Sequence, residues 1–491
     1  MSKIVGLALG LAVATGCHDG PMNEGNTSVS GTYHSSAEDA AATTAVDEEE
    51  EPEDTGAASL ECDEEAPVTF FISPDDSNSM SSPVQARMAV LSGGLFGGVP
   101  IRGWEFLNYY TFDYPAAPED DVRLEVELAP TERDDHWSLQ IAVASEGRTN
   151  ASRPPMNLTF VLDTSGSMSG TPIEMLRKTG EAVSSSLNEG DLVSMVTWSS
   201  SNATVLDSHH VVGPFDPTVL AAFNGLEANG GTNLSGGLAA GYALAEQNYV
   251  PGRINRVFLV SDGGANLGVT DAEIIGEHAG AHDEDGIYMV GVGVGTASTY
   301  NDYLMDQVTD IGKGASLFIG DVDEAYKMFG PDRVVSTLDV AARDVQVQLD
   351  LPPGFEIDKF SGEEYSTDPS EIEPQHLAPN DAMVFFQSIS TCAPDLVDDD
   401  ATIAVTVTYK DAVTFEERSV RRTFTFGELL DAGTRQLRKG AALFTYAEAL
   451  SAVSQGDDSR IDEALVRLAD AEAESPGDAD LAEIRRVLEA L

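Results

Sequence analysis

Between residues 151 and 330 of this 491-residue chain, short apolar runs alternate with longer stretches of helical character. The apolar runs are nearly continuous, which is typical of parallel strands that are buried on both faces. The predicted strands are 158–163, 192–198, 257–262 and 287–293, and the predicted helices are 171–188, 234–247, 271–283 and 300–311. This alternation predicts an α/β fold with a doubly wound, mostly parallel sheet that is covered by helices on both faces.

Two of the predicted strands end at an aspartate. Asp163 closes the first strand, and Ser165 and Ser167 follow it at a spacing of two. Asp262 closes the third strand, and Thr232 lies in the glycine-rich loop 229–233, which opens a predicted helix. In such sheets the loops at the carboxyl ends of the strands form the binding site. Carboxylate and hydroxyl oxygens suit a hard divalent cation such as Mg²⁺, so the sequence predicts a metal site at this edge.

The order of these three motifs is similar to that of the metal-ion-dependent adhesion site of von Willebrand factor type A domains. The resemblance covers about residues 150–330 and implies a Rossmann-like domain that holds Mg²⁺, Mn²⁺ or Ca²⁺. It implies that Ser165 and Ser167 bind the metal directly and that Thr232 does so directly or through water. Asp163 and Asp262 are implied to act largely through bound waters.

The same resemblance implies a function. In this family an acidic residue of a protein ligand completes the metal coordination, so we expect a cell-envelope binding protein whose partner exposes an Asp or a Glu. We expect no enzymatic activity, because the glycines around Gly293 lack dinucleotide spacing and the sequence around Ser167 misses the nucleophile elbow by one position. A metal-dependent hydrolase, or an envelope assembly scaffold with a structural metal, remains the alternative.

Period-two alternation flanks the central domain on both sides. It occurs at 122–128 and 137–143 before the domain, and at 345–349, 403–407 and 415–426 after it. Such alternation predicts a β-sandwich split between residues 67–150 and 331–428, with the α/β domain of residues 151–330 inserted into it. Residues 429–491 have helical spacing and predict a helical hairpin that packs on the sandwich, with a partner-binding arm as the alternative.

The amino terminus has the pattern of a processing segment. Lys3, the apolar run 4–14 and the sequence Ala-Thr-Gly-Cys ending at Cys17 resemble a lipoprotein signal peptide with its lipobox. The resemblance implies that Cys17 is lipidated and anchors the protein in a membrane. His18, at the second mature position, does not match an inner-membrane retention signal, so we expect a Gram-negative outer membrane, with the protein facing the periplasm or the surface. An uncleaved anchor and plain secretion are the alternatives. Residues 18–66 are small, polar and acidic, which predicts a disordered tether.

The net charge of the chain argues against a nucleic-acid partner. The chain has 27 basic and 83 acidic residues, for a net charge of −56, so its surface would repel a nucleic-acid backbone and we predict no such partner.

With Cys17 assigned to lipid, Cys62 and Cys392 remain in a compartment that permits disulfides. We predict that they pair; two free or separately buried thiols are the alternative.

Overall fold

The computed structural model describes residues 66–74, 78–93, 99–119, 121–265, 268–281, 286–297 and 300–491. The predicted signal peptide, Cys17, nearly all of the predicted tether and Cys62 lie outside the described residues. Within the described ranges, no helix combines the length and the apolar character that a bilayer crossing requires.

The described residues before the central domain form three strands and two helices. These elements are β1 (Val68–Ser73), α1 (Ser81–Leu91), α2 (Gly103–Tyr109), β2 (Arg123–Pro130) and β3 (His136–Ala144). Inward-facing residues alternate with more exposed ones along β2, as the period-two pattern predicts.

The central domain is built on a six-stranded sheet. Its strands are β4 (Met156–Asp163), β5 (Leu192–Trp198), β6 (Asn202–His210), β7 (Ile254–Ser261), β8 (Tyr288–Val294) and β9 (Ser316–Ile319). Their order across the sheet is β6-β5-β4-β7-β8-β9, and β6 is antiparallel to β5 whereas the other neighbours are parallel. All eight residues of β4 are buried, which explains why the apolar run of this strand is nearly continuous.

Helices cover this sheet in two groups. They are α3 (Thr171–Ser186), α4 (Pro217–Asn224), α5 (Leu234–Gln247), α6 (Val269–Ala279), α7 (Tyr303–Gly312), α8 (Val322–Phe329) and α9 (Val334–Leu338). The first group consists of α3, α4 and α8, with α9 packed on α8, and the second consists of α5, α6 and α7. The predicted α/β fold with a doubly wound, mostly parallel sheet is confirmed.

Seven strands follow the central domain. They are β10 (Ala342–Leu351), β11 (Phe355–Phe360), β12 (Glu364–Ser366), β13 (Gln375–Leu377), β14 (Ala382–Thr391), β15 (Thr402–Asp411) and β16 (Glu417–Thr425), and the short helix α10 (Phe426–Leu430) comes next. One sheet has the order β12-β1-β10-β15-β16 with β13 beside β10, and the other has the order β11-β14-β3-β2. Because strands from both ends of the chain pair in each sheet and share one apolar core, the sandwich is split by the central domain as predicted.

The carboxyl-terminal part forms three helices, so the prediction of a two-helix hairpin is wrong. They are α11 (Arg435–Ser454), α12 (Ile461–Glu474) and α13 (Ala479–Leu488). Asp478 caps α13 by accepting hydrogen bonds from the backbone N–H groups of Asp480 and Leu481, which separates α13 from α12. These helices contact the sheet that contains β3, and they also share an apolar core with α1, α2 and the central domain.

Cys392 follows β14 directly and forms a disulfide bond. Its predicted partner Cys62 lies outside the described residues, so the Cys62–Cys392 pair stays a prediction.

Candidate metal centre

The two aspartates predicted as metal ligands lie at the same edge of the central sheet. β4 and β7 are parallel neighbours, with Leu162 opposite Val260. Asp163 is the last residue of β4, and Asp262 follows the last residue of β7. Parallel strands place their carboxyl ends together, so the pairing brings the two carboxylates to one end of the sheet.

Asp163 is fully buried, and both of its carboxylate oxygens are engaged. Oδ1 accepts a 2.8 Å hydrogen bond from the backbone N–H of Ser165, the turn that an aspartate commonly forms with the residue two positions later. Oδ2 accepts a 2.6 Å hydrogen bond from the hydroxyl of Ser261. Two neutral donors therefore hold the carboxylate in place.

The two serines of the motif lie beside each other. The Oγ atoms of Ser165 and Ser167 are 3.1 Å apart; Ser165 is buried, whereas Ser167 is exposed. Between them begins a single 3-10 turn, Gly166–Met168, which the buried side chain of Met168 anchors in the core. The turn thus directs one hydroxyl toward the surface.

Asp262 borders the same space. Its Oδ1 accepts a 3.0 Å hydrogen bond from the backbone N–H of Gly264. A methyl group built on Gly264 would lie 3.0 Å from Asp262 Oδ1 and 3.3 Å from Ser167 Oγ. The two oxygens are therefore close to the same position beside Gly264.

The loop that carries Thr232 is attached to the Asp163 loop through the backbone. Asn229 N–H donates to the Thr164 carbonyl at 2.7 Å, and Gly166 N–H donates to the Gly230 carbonyl at 3.2 Å. The side chain of Thr232 is exposed. The structure therefore brings Asp163, Ser165, Ser167 and Asp262 together by side-chain position, and it places Thr232 beside them by docking its loop.

The electrostatics of the site fit a cation. Burial raises the pKa of Asp163, and the negative charge of Asp262 acts in the same direction, whereas the hydrogen bonds from Ser261 and Ser165 oppose the rise. A divalent cation held at this site would favour the ionised form of Asp163. The donor set consists of carboxylate and hydroxyl oxygens, the ligand types that Mg²⁺ prefers.

Ser261 was missed as a site residue because it reads as the end of an apolar strand. Ser261 could have been identified from its position next to Asp262, on a strand that neighbours β4.

Within the described part of the chain, one group of three carboxylates lies close enough to hold a metal: Glu105, Asp302 and Asp306. Sequence reasoning also missed this group. Arg102 forms ion pairs with all three carboxylates; its guanidinium lies 3.0 Å from Glu105 and 2.9 Å from Asp306. A guanidinium already pairs with each of the three carboxylates, so we do not assign a cation here.

Comparison with known proteins agrees with the topology. Residues 158–265 match the sequence model of the von Willebrand factor type A domain family. The central domain is a von Willebrand factor type A domain. The uncharacterized protein YfbK of Escherichia coli (strain K12) is 29% identical over 265 residues, which are 52% of this chain and 45% of YfbK. The uncharacterized protein sll0103 of Synechocystis is 32% identical over 133 residues, 27% of this chain and 31% of that protein.

Among solved structures, a von Willebrand factor type A protein from Catenulispora acidiphila has a TM-score of 0.46 and 17% sequence identity, and the match covers 72% of this chain and 88% of that one. The chain spans less than half the length of the two curated relatives named here. The family model thus identifies residues 158–265 as the part of the chain that is similar to a von Willebrand factor type A domain.

Proposed function

We propose that this protein binds a protein partner through a divalent cation held by Asp163, Ser165, Ser167, Thr232 and Asp262, and that an Asp or Glu of the partner completes the coordination. The observation that carries the proposal is the buried carboxylate of Asp163, fixed by Ser261 and Ser165 beside Asp262. A general role of von Willebrand factor type A domains in protein interaction accords with it.

The expected roles of the side chains follow from charge. By resemblance, Ser165 and Ser167 contact the metal, and Asp163 and Asp262 act largely through bound waters. Neutral hydroxyls cancel little of a dication's charge, and carboxylates held one shell further out leave more of it uncancelled. An incoming carboxylate therefore gains more from binding the metal. Exposed Ser167 and Thr232 lie on the side from which a partner can approach.

The test is capture of partners from envelope extracts by the full chain, with Mg²⁺ and with chelator in parallel. We expect capture with Mg²⁺ to disappear in chelator and in Asp163→Ala. Asp216→Ala is the matched control, because Asp216 is another buried aspartate of the domain and caps α4 instead. Its loss should cost about 1 kcal/mol of stability and leave capture unchanged. Replacing the recognised Asp or Glu of the captured partner should abolish binding, and equal capture in chelator would refute the mechanism.

The same proposal includes the absence of catalysis. A hydrolase would activate a metal-bound water, whereas a binding site leaves that position to a ligand carboxylate. Metal-dependent turnover of a small substrate by wild type but not by Asp163→Ala would favour the hydrolase alternative.

We also propose that Cys17, outside the described residues, carries a lipid that anchors the protein in the outer membrane. Cys17→Ser should release the protein from the membrane fraction or leave an unprocessed precursor. Unchanged fractionation and migration would contradict this proposal.

A further inference from the structure

A second turn packs directly against the Asp262 turn. The backbone N–H of Asn301 donates a 3.3 Å hydrogen bond to the carbonyl of Asp262. Gly263 has a φ of +80°, and a Cβ built on it would lie only 2.0 Å from the carbonyl oxygen of Asn301. The two backbones are thus in contact with no space for a side chain between them. A displacement of Asn301 must therefore move the turn that carries Asp262.

Asp302, the next residue, is held from outside the von Willebrand factor type A domain. Its Oδ1 accepts hydrogen bonds from Ser81 Oγ at 2.8 Å and from Gln85 Nε2 at 3.0 Å, and its Oδ2 accepts one from Arg102 Nη1. Asp302 is 6% exposed. All three donors belong to the segment of α1 and α2 that precedes β2.

Arg102 is itself fixed in place. Besides Asp302, it pairs with Glu105 at 3.0 Å and with Asp306 at 2.9 Å, and its side chain is 20% exposed. A guanidinium presents several donors in a rigid plane, so it can contact three carboxylates at once. Removing it would leave the carboxylates of Asp302 and Asp306 without their positive partner, which would displace them.

We propose that Arg102 is a positioning residue for the metal site. It fixes Asp302, Asp302 fixes the turn of Asn301, and this turn supports the backbone of Asp262 and Gly263. Metal affinity then depends on a segment that lies outside the domain in sequence. The inference rests on the proposed function, because it requires that Asp262 help to hold a cation.

The test is Mn²⁺ binding to the full chain, measured by electron paramagnetic resonance on protein whose folding is verified by circular dichroism. Arg102→Met should weaken Mn²⁺ binding roughly 10-fold, the low end of the effect of removing an outer partner of a metal site. Arg102→Lys, which keeps the charge but not the planar set of donors, should recover part of the loss. Ser81→Ala removes one hydrogen bond to Asp302 and should weaken Mn²⁺ binding by a smaller factor. If Arg102→Met does not fold, Ser81→Ala still tests the positioning role.

Arg87→Met is the matched control for a purely structural effect. Arg87 belongs to the same segment and pairs with Glu324 of α8 at 2.6 Å and with Glu483 of α13 at 3.0 Å. Its loss should lower stability and leave Mn²⁺ affinity unchanged. Wild-type affinity in Arg102→Met and Ser81→Ala, together with loss in Asp163→Ala, would overturn the positioning role and spare the proposed function. Wild-type affinity in Asp163→Ala would overturn the metal site itself, and the positioning role with it.

Discussion

The hydroxyl of Ser261 donates a 2.6 Å hydrogen bond to Oδ2 of Asp163, so the residue that precedes one predicted metal ligand orients the other. The contact joins the ends of two neighbouring strands, β4 and β7. It leaves the Asp163 carboxylate no freedom to turn away from the site, because Oδ1 is held by the backbone of Ser165.

Ser261→Ala should therefore weaken Mn²⁺ binding roughly 10-fold, as expected for loss of a hydrogen bond to a group that supports a metal. Ser184→Ala is the control, because Ser184 is a buried serine of α3 whose hydroxyl has no hydrogen-bond partner among the described residues. Titration with Mn²⁺ measures both variants. Equal affinity of the two would show that the Ser261 hydroxyl does not support the site.

Gly263→Ala should lower the free energy of unfolding by about 3 kcal/mol or more, through a strained φ and overpacking against Asn301. Gly252→Ala separates the two causes, since Gly252 has a similar φ of +74° but open space around it. It should cost about 1 kcal/mol. Urea denaturation gives both values, and a similar cost at the two positions would mean that the contact with Asn301 is not tight.

Glu105 should make stability depend on pH. Its burial, and next the charge of Asp302, raise the pKa of Glu105 from 4.5 to about 7. Between about pH 4.5 and pH 7 the unfolded chain has released this proton while the folded chain retains it, so the contribution of Glu105 to the free energy of unfolding falls as pH rises. The fall is about 3 kcal/mol and is complete above pH 7.

Denaturation of wild type and Glu105→Gln across this range isolates that contribution, because other carboxyl groups titrate in both proteins. The stability of Glu105→Gln relative to wild type should increase by the same amount toward pH 7. Parallel curves would mean that Glu105 is ionised throughout.

Mass mapping of the unreduced protein should find Cys392 joined to Cys62. In the chain-entropy account a bond that closes so long a loop stabilises the fold by about 6 kcal/mol, so Cys392→Ser should lower the urea midpoint. Detection of Cys62 as a free thiol would contradict the predicted pair.

The Asp163 motif and the buried strands of the central sheet could be predicted, because both depend on residue spacing within short stretches of the sequence. Asp163, Ser165 and Ser167 follow one buried strand, and the adjacency of β4 and β7 explains why Asp262 lies near them. The edge strand β6 was not predicted, because it is mostly exposed and has no apolar pattern.

Contacts between distant segments had no sequence signal. The Ser261–Asp163 hydrogen bond spans 98 residues, and the Arg102–Asp302 contact spans 200. Polar residues at such separations become partners only after the sheet and the flanking helices have packed. Spacing within either segment therefore could not reveal them.

The split sandwich also has a consequence for synthesis on the ribosome. Thr69 of β1 hydrogen-bonds Asp350 of β10, 281 residues later. At a synthesis rate of about 5–20 residues per second, β10 is made roughly 15–55 s after β1. The central domain is complete in sequence by then, and its strands pair over shorter separations, which favours faster folding. The central domain is therefore expected to fold before the sandwich, in which β1 pairs only after β10 is available.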